Sequence, residues 1–390
     1  MAIDPQEYRD RLSKTRARMR EADLDALLVV DPANLNYLTG YNAWSFYTPQ
    51  AMFVDHDSTP VLFMRAMDAD GAHRTAEPGT CTVIGYPESL VQQHDRHPFD
   101  WIAQQLRDAG HAAKSRVGVE GDAHFFPVRG YLALQKAMPE WTLVESHELV
   151  NWVRLIKSPA EIELMRAAGK VSSRVMSTAI EAIEVGMSQA KLAAIIQEAQ
   201  ARGTEEFNGD YPAIVPLMMA GPAVDTPHLT FSHAKFKAEA VSLELTGVHQ
   251  RYHAPLARTI ALAPPSQELL TLADVTAEGL GLVLEGMKPG MEVREAHALW
   301  QRHITARGYE KASRLGYSIG IGYPPDWGEH TVSIRGDDAT VLAPGMCFHI
   351  IAGMWLETGC EISESITVTE TGVEALTDAP RQLIVKGTSA

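Results

Sequence analysis

Short apolar runs alternate with amphipathic stretches through residues 1–155. Residues 5–22 carry apolar side chains at helical spacing, and Ala26 to Val30 form an uninterrupted apolar run typical of a buried strand. The polar stretch from Asp31 to Gly40 predicts a turn region. Beyond it, the pattern predicts strands at 51–54, 60–64, 81–84 and 116–119, and helices at 69–77, 97–109 and 127–137. Strands that alternate with helices in this way indicate an α/β domain.

A domain boundary is predicted between Trp152 and Pro159. Ser158, Pro159 and Glu161 have the order of a helix N-cap, a proline at the first helical position and a capping-box glutamate. We therefore divide the chain into domains at 1–155 and 156–390.

Two similar helix pairs follow this boundary. The pattern predicts one pair from Pro159 toward Ile183 and at 189–201, and another at 268–284 and 293–306. Each pair is joined by a similar turn, E-V-G-M at 184–187 and K-P-G-M at 288–291. Repeated units of this kind predict an internally duplicated α+β domain.

The segment from Val241 to Arg258 lies between the helix pairs and predicts a β-hairpin. Its first half alternates apolar with small or polar residues, Thr246-Gly247 suits a turn, and the segment from Tyr252 predicts a returning strand. Glu244 lies among apolar neighbours in the first strand, and we expect it to pair across the hairpin near 252–255. Acidic side chains are seldom buried without a partner. Glu244 is therefore either half of a structural ion pair or a working carboxylate.

Composition narrows the class of protein. The chain has 390 residues with 45% hydrophobic content, and its formal net charge of −15 argues against nucleic acid and anionic membranes as partners. Its three cysteines, Cys81, Cys347 and Cys360, are too few and too scattered for a disulfide framework or a zinc cluster. We find neither a charged-then-apolar leader nor an apolar run of about 18 residues. A cytoplasmic protein is expected.

The hairpin resembles that of the pita-bread fold family, which includes methionine aminopeptidases, prolidases and creatinase. There, two metal-binding aspartates lie eleven residues apart, the second within Y-x-x-D-x-x-R; here the second position is occupied by proline, in Y-H-A-P-L-A-R. The resemblance places the five metal-ligand positions on Glu244, Pro255, Ser318, Ile351 and Ser363. It therefore implies a pita-bread domain after a creatinase-type amino-terminal domain, with no metal ion and no cofactor.

Three residues are candidates for the catalytic groups. His228 precedes the hairpin and falls close to the catalytic histidine of creatinase, although a histidine beside proline is often a surface residue. Histidine suits the role because it both accepts and donates a proton near neutral pH. His253 follows Tyr252, so the two side chains face opposite ways on a strand. The candidates are thus Glu244, His228 and His253, while Arg258 is expected to neutralise a buried carboxylate.

Candidate ligand contacts come from three segments. The stretch 38–50 is rich in aromatic residues without a helix or strand period and predicts either a satellite core or a ligand wall. The Gly- and Pro-rich loop at 320–335 contains an acid-aromatic-acid cluster suited to a planar cation. In the last strands, Glu361 and Glu364 either face the site or balance Arg258. The candidate substrate-binding residues are Trp44, Phe46, Tyr47, Tyr252, Asp326, Trp327, Glu329 and Glu361.

A narrower resemblance extends over most of the chain. Segments such as W-S-F-Y-T-P-Q, L-E-L-T-G, R-Y-H-A-P-L-A-R-T and G-Y-P-P-D-W-G-E, between residues 44 and 364, resemble the ectoine hydrolases. This likeness implies opening of the amidine ring of ectoine, and of 5-hydroxyectoine, to N-acetyl-2,4-diaminobutyrate in compatible-solute catabolism. It also implies a homodimer whose aromatic loop covers the partner's site, and a downstream zinc-dependent deacetylase.

Three alternatives to this reading are a creatinase-like hydrolase of another amidino or guanidino compound, a metal-dependent peptidase or lyase of the same fold, and a non-enzymatic pseudo-peptidase.

Overall fold

The computed structural model describes residues 3–386, which fall into two compact units, one up to Arg154 and one from Leu155 onward. The first unit is the predicted α/β domain, built on a six-stranded sheet of order β4-β3-β2-β1-β5-β6. Its elements are α1 (Pro5–Glu21), β1 (Ala26–Val29), α2 (Pro32–Thr39), β2 (Ala51–Asp55), β3 (Val61–Arg65), α3 (Ala66–Thr75), β4 (Thr82–Tyr86), α4 (Pro98–Asp108), β5 (Ser115–Val119), α5 (Val128–Ala137), β6 (Trp141–Glu145) and α6 (Leu149–Arg154).

The predicted turn region from Asp31 to Gly40 is wrong, because α2 occupies it. The Asp31 side chain caps the helix by accepting hydrogen bonds from the Ala33 and Asn34 amides. Pro32 takes a first-turn position, and Gly40 ends the helix in a left-handed conformation with φ 76°. The polar and turn-forming residues at the two ends of this segment are the N-cap and the C-cap of one short helix. The elements β6 and α6 were not predicted, although β6 is as long as the predicted strands β2 to β5.

The second unit contains the predicted helix pairs and a nine-stranded sheet, of order β14-β13-β12-β10-β9-β8-β7, with β11 paired to β10 and β15 to β9. Its elements are α7 (Pro159–Ala182), α8 (Gln189–Arg202), β7 (Leu217–Ala220), β8 (Ala240–His249), β9 (Tyr252–Ala261), α9 (Gln267–Gly286), α10 (Val293–Thr305), β10 (Gly316–Tyr323), β11 (Asp326–Ser333), β12 (Cys347–Met354), β13 (Cys360–Val368), β14 (Val373–Ala375) and β15 (Ile384–Val385). No described helix is long and apolar enough to cross a membrane.

The central hairpin turns later than predicted. Gln250 and Arg251 form its two-residue turn with φ values of 48° and 67°, the positive-φ combination that matches strand twist. Gly247 instead lies within β8, where an added Cβ would be 2.1 Å from the Ser172 amide of α7. This glycine therefore permits close packing of a helix on the strand. The shift pairs Glu244 with Ala257 and not with the segment 252–255.

Buried ion pairs connect distant parts of the second unit. Arg258 contacts Glu364 in a fully buried pair, which confirms the structural role expected for this arginine. Lys157, just before α7, forms a second buried pair with Glu329 of β11, at 2.6 Å between Nζ and Oε2. Removing one member of such a pair leaves an uncompensated charge, so both pairs restrict how the strands align.

Candidate active site

Glu244 is a buried carboxylate without a bonded cation. Its side chain is 4% exposed, and no hydrogen-bond donor among residues 3–386 reaches either carboxylate oxygen. The nearest basic atom is Nδ1 of His349, 3.9 Å from Oε1. Burial, followed by the charges of Glu361 and Asp326, raises the pKa of Glu244 well above its ordinary value. These surroundings fit a working carboxylate better than half of a structural ion pair.

His349 stands beside Glu244 as a neutral ring. Burial, with the charges of Arg314 and Arg258, lowers its pKa to about 3. Nε2 lies 2.7 Å from the Ser363 hydroxyl, and Nδ1 lies 3.3 Å from the Tyr317 hydroxyl. The ring therefore adds no positive charge at neutral pH and leaves the Glu244 carboxylate uncompensated.

A buried tyrosine joins this group to the segment 320–335. The sequence predicted a loop there, but the structure forms the end of β10 and all of β11, which pair as antiparallel strands. The Tyr317 hydroxyl accepts a hydrogen bond from the Trp327 indole at 2.7 Å, which explains why Trp327 is buried. Burial, and then the charge of Glu244, raises the pKa of Tyr317. Burial also acts to raise the pKa of Asp326, but hydrogen bonds from His330 and the Gly328 amide outweigh it and leave that pKa lowered.

Glu361 is a second buried carboxylate in the same site. It is 1% exposed, and neither oxygen has a hydrogen-bond partner among the described residues. Burial raises its pKa to about 7, while the charge of Lys311 and the nearby Trp355 indole act in the opposite direction. Two carboxylates without contacting cations form a negative site, which suits a buried cationic ligand.

The residues at the family's metal-ligand positions do not fit a metal ion. Ile351 is apolar and lies opposite Ser363 in the register of β12 and β13. The Ser363 hydroxyl accepts from the Ala257 amide at 2.7 Å and contacts His349. Pro255 offers no side-chain donor, and within residues 3–386 no three His, Cys, Asp or Glu side chains converge as a metal site requires.

The polar side chains of β12 and β13 lie two residues before the family's metal-ligand positions on these strands. His349 precedes Ile351 by two, and Glu361 precedes Ser363 by two. Because side chains alternate along a strand, a shift of two residues keeps the same face. This period-two relation was the available signal for His349, which sequence reasoning missed together with Tyr317 and Lys311.

His228 lies just before a short bridge at the edge of the sheet that carries Glu244. Leu217 of β7 pairs with Glu244 on one side and forms a bridge with Thr230 on the other. Directly opposed residues share a face, so Thr230 is two strand spacings, or about 10 Å, from Glu244 on its side of the sheet. His228 is two residues before Thr230 and is exposed in the isolated chain.

Three other candidates belong to the scaffold. Nδ1 of His253 contacts the Arg251 carbonyl at 2.7 Å, and Nε2 accepts from the Ala213 amide at 3.0 Å, so both nitrogens are engaged by backbone. Tyr252 donates to Glu161 at 2.8 Å. Glu329 is engaged by Lys157. Both ring nitrogens of His253 are thus engaged by backbone, and Tyr252 and Glu329 are engaged by side chains at the start of the second unit.

The aromatic stretch at 38–50 contains both a small buried core and exposed aromatic side chains. Phe46 is buried against Phe125, with ring centroids 5.5 Å apart, and Tyr41 is buried, as in a satellite core. Trp44 and Tyr47 are 57% and 63% exposed. These two large aromatic side chains are therefore accessible on the first unit.

Comparisons with known proteins agree with this architecture. Residues 163–370 match the model of metallopeptidase family M24, and residues 11–156 match the creatinase/prolidase N-terminal domain. The prolidase of Thermococcus sibiricus has the same fold, with a TM-score of 0.85, 21% identity, and coverage of 99% of this chain and 100% of that one. The chain belongs to family M24, the pita-bread fold, and is a hydrolase of C–N bonds.

The similarity is higher to particular members. The chain is 40% identical to the ectoine hydrolase of Halomonas elongata over 98% of both chains. It is 42% identical, over 97% of both chains, to an uncharacterized hydrolase/peptidase of Sinorhizobium fredii.

Proposed function

We propose that this protein hydrolyses the cyclic amidine ring of ectoine, and of 5-hydroxyectoine, to N-acetyl-2,4-diaminobutyrate, without a metal ion. The observation that supports this most directly is the pair Glu244 and Glu361, buried without a contacting cation in the described residues. The similarity to an ectoine hydrolase along nearly the whole chain supports the choice of substrate.

The charge of the substrate fits this negative site. A protonated amidine is a planar cation with two N–H groups, and a carboxylate binds such a pair by parallel charge-assisted hydrogen bonds. An unpaired buried carboxylate is unfavourable by several kcal/mol or takes up a proton. A bound amidinium would supply the missing charge to Glu244, whereas a metal ion at the same place would repel it.

The reaction needs one water molecule and a group that moves its proton. His228 takes a proton as the water oxygen bonds to the amidine carbon, and the C=N π electrons move to a ring nitrogen. His228 then donates that proton to the departing nitrogen as its bond to the same carbon breaks. The added hydroxyl loses its proton to His228 as the C=O forms, which leaves an acetamide and an amine. In a second route, the Glu244 oxygen adds to the amidine carbon, and the ring C–N bond breaks as its nitrogen takes up a proton. Water then attacks the same carbon and breaks its bond to Glu244.

The product suggests a functional partner. It carries an N-acetyl group, so we propose that a zinc-dependent deacetylase acts on it next in compatible-solute catabolism. The same acidic site would also accept other amidino or guanidino compounds, and a panel of substrates separates these possibilities.

The test combines product analysis with removal of metals. Purified protein should convert ectoine to a product heavier by one water, detected by mass spectrometry. Activity should survive exhaustive chelation, and elemental analysis should find no stoichiometric metal, because the ligand positions hold Pro255, Ile351 and Ser363.

The panel also contains 5-hydroxyectoine, creatine and an Xaa-Pro dipeptide. Turnover of creatine alone would point to a creatinase-like hydrolase, and absence of any turnover to a binding protein of this fold. Activity that disappears with chelator and returns with a divalent ion would contradict metal independence.

We propose that the protein is a homodimer in which the two copies share their active sites. Trp44 and Tyr47 of one copy would cover the site of the other and exclude water from the cation, while Phe46, buried against Phe125, would hold the loop that carries them. Trp44→Ala should lower activity, and mixing it with the inactive Glu244→Gln protein under subunit exchange should restore about a quarter of wild-type activity, since half of the random dimers hold one intact site.

Light scattering gives the oligomeric state for the same samples. No recovery in confirmed mixed dimers, or full activity from a monomer, would contradict the shared site.

A further inference from the structure

A buried lysine lies next to Glu361 on the strand pair that carries it. Lys311 is 7% exposed, and its Nζ donates to the Gly353 carbonyl at 2.9 Å. Gly353 is directly opposite Glu361 in the register of β12 and β13. The ammonium is thus held by the backbone beside the carboxylate, although the two side chains form no ion pair.

Trp355 completes the arrangement. Its ring centroid lies 4.1 Å from the Lys311 Nζ, a cation–π contact. An added Cβ on Gly353 would come within 2.7 Å of the Trp355 ring, so glycine at this position makes room for it. The indole nitrogen and both Glu361 oxygens are buried without a hydrogen-bond partner in the described chain. Lys311, Trp355 and Glu361 thus form one buried polar group in the segment before β10, just after β12 and on β13.

We propose that Lys311 is a positioning residue for the hydrolysis: held by Gly353 and Trp355, its charge keeps Glu361 ionised so that Glu361 can accept an N–H of the cationic substrate. This inference rests on the proposed function for the role of Glu361, and only on the structure for the coupling between Lys311 and Glu361.

Other charged groups face this pair. Glu244 and Asp326 add negative charge to the site and oppose ionisation of further carboxylates, while His349 is neutral. Burial lowers the pKa of His297, the charge of Asp337 acts to raise it, and the charge of Lys311 acts to lower it. Lys311 is the positive charge that acts most directly on Glu361.

Lys311 and Glu361 each shift the pKa of the other in the direction that favours the charged form. Burial raises the pKa of Glu361 to about 7, and the charge of Lys311 holds it below what burial alone would give. Burial lowers the pKa of Lys311 to about 8. Loss of the lysine charge should therefore move the titration of Glu361 to higher pH.

The first measurement is the pH profile of kcat/KM. Lys311→Met keeps an unbranched side chain under Trp355 but removes the charge, and the acid limb should move upward by about one pH unit or more. Lys311→Arg keeps the charge and should leave the limb near its wild-type position. A purely structural role would lower activity in both variants without moving the limb.

A second measurement does not depend on turnover. The infrared carbonyl band of a protonated carboxylic acid, assigned by its loss in Glu361→Gln, reports the titration of Glu361 in ligand-free protein. The pH at which Glu361 titrates should be higher in Lys311→Met and, by a smaller amount, in Trp355→Phe. The second variant keeps an aromatic ring beside Lys311 and is used if Lys311→Met does not fold.

If Glu361 titrates at the wild-type pH in the folded variants, the inference is wrong, whether or not ectoine is the substrate. A shifted titration of Glu361 in a protein that does not turn over ectoine would support the coupling and reject only the proposed function.

Discussion

Glu244→Gln is expected to lower kcat for ectoine by on the order of 10³-fold or more. The substitution preserves shape but removes the charge that would bind the amidinium, and also the nucleophile of the second route. No other described side chain forms a hydrogen bond with this carboxylate, so the fold should survive its loss. Steady-state kinetics with product analysis measures the effect, and circular dichroism checks the fold.

The change in Tm caused by Glu244→Gln should depend on pH. The pKa of Glu244 is raised in the folded protein by burial first, and then by Glu361 and Asp326. The folded state therefore binds this proton more tightly than the unfolded state, so ionisation opposes folding as pH rises above about 4.5 and toward the raised pKa. Glu244→Gln should have a Tm at or above that of wild type near neutral pH, with a smaller difference at about pH 4.

A matched control is available on β13. Glu364→Gln makes the same change at a buried glutamate, but it removes the charged partner of Arg258. It should lower the free energy of unfolding by about 3 kcal/mol or more. Near-normal turnover in a folded Glu244→Gln protein would transfer the catalytic role to another carboxylate, with Glu361 the first to test.

His228→Ala is expected to lower kcat by on the order of 10²–10⁴-fold, the usual contribution of a general acid-base group. The change in KM should be small, because the amidinium contacts come from Glu244 and Glu361. His228 is exposed in the isolated chain, so its removal should leave the Tm nearly unchanged.

His233→Ala provides the control for this prediction. His233 is an exposed histidine in the same segment, and its replacement should leave kcat close to wild type. Equal losses in the two variants would indicate a general effect on the segment. A normal kcat in His228→Ala would assign proton transfer to a different group.

Burial of Glu244 follows from local pattern, but its exact partner does not. The alternation around it predicts a half-buried strand, and burial of a charge predicts an unusual environment. The turn position depends on which two residues accept positive φ, and Thr246-Gly247 offered a plausible but incorrect choice. The structure places the turn at Gln250 and Arg251 because Gly247 is needed for close contact with α7.

Resemblance of its motifs indicated the pita-bread fold. The sequence by itself also determined the α/β domain, the two helix pairs and the hairpin that carries Glu244, and it favoured a charge-neutralising role for Arg258. These depend on local periodicity, helix caps and the cost of an unpaired buried charge, all of which are readable along the chain. The tertiary structure alone placed His349 against Glu244, engaged both nitrogens of His253 with backbone, paired Glu329 with Lys157, and brought Lys311 to Glu361. Contacts between residues far apart in sequence depend on strand register and sheet curvature, and one-residue shifts in register reverse the face on which a side chain lies.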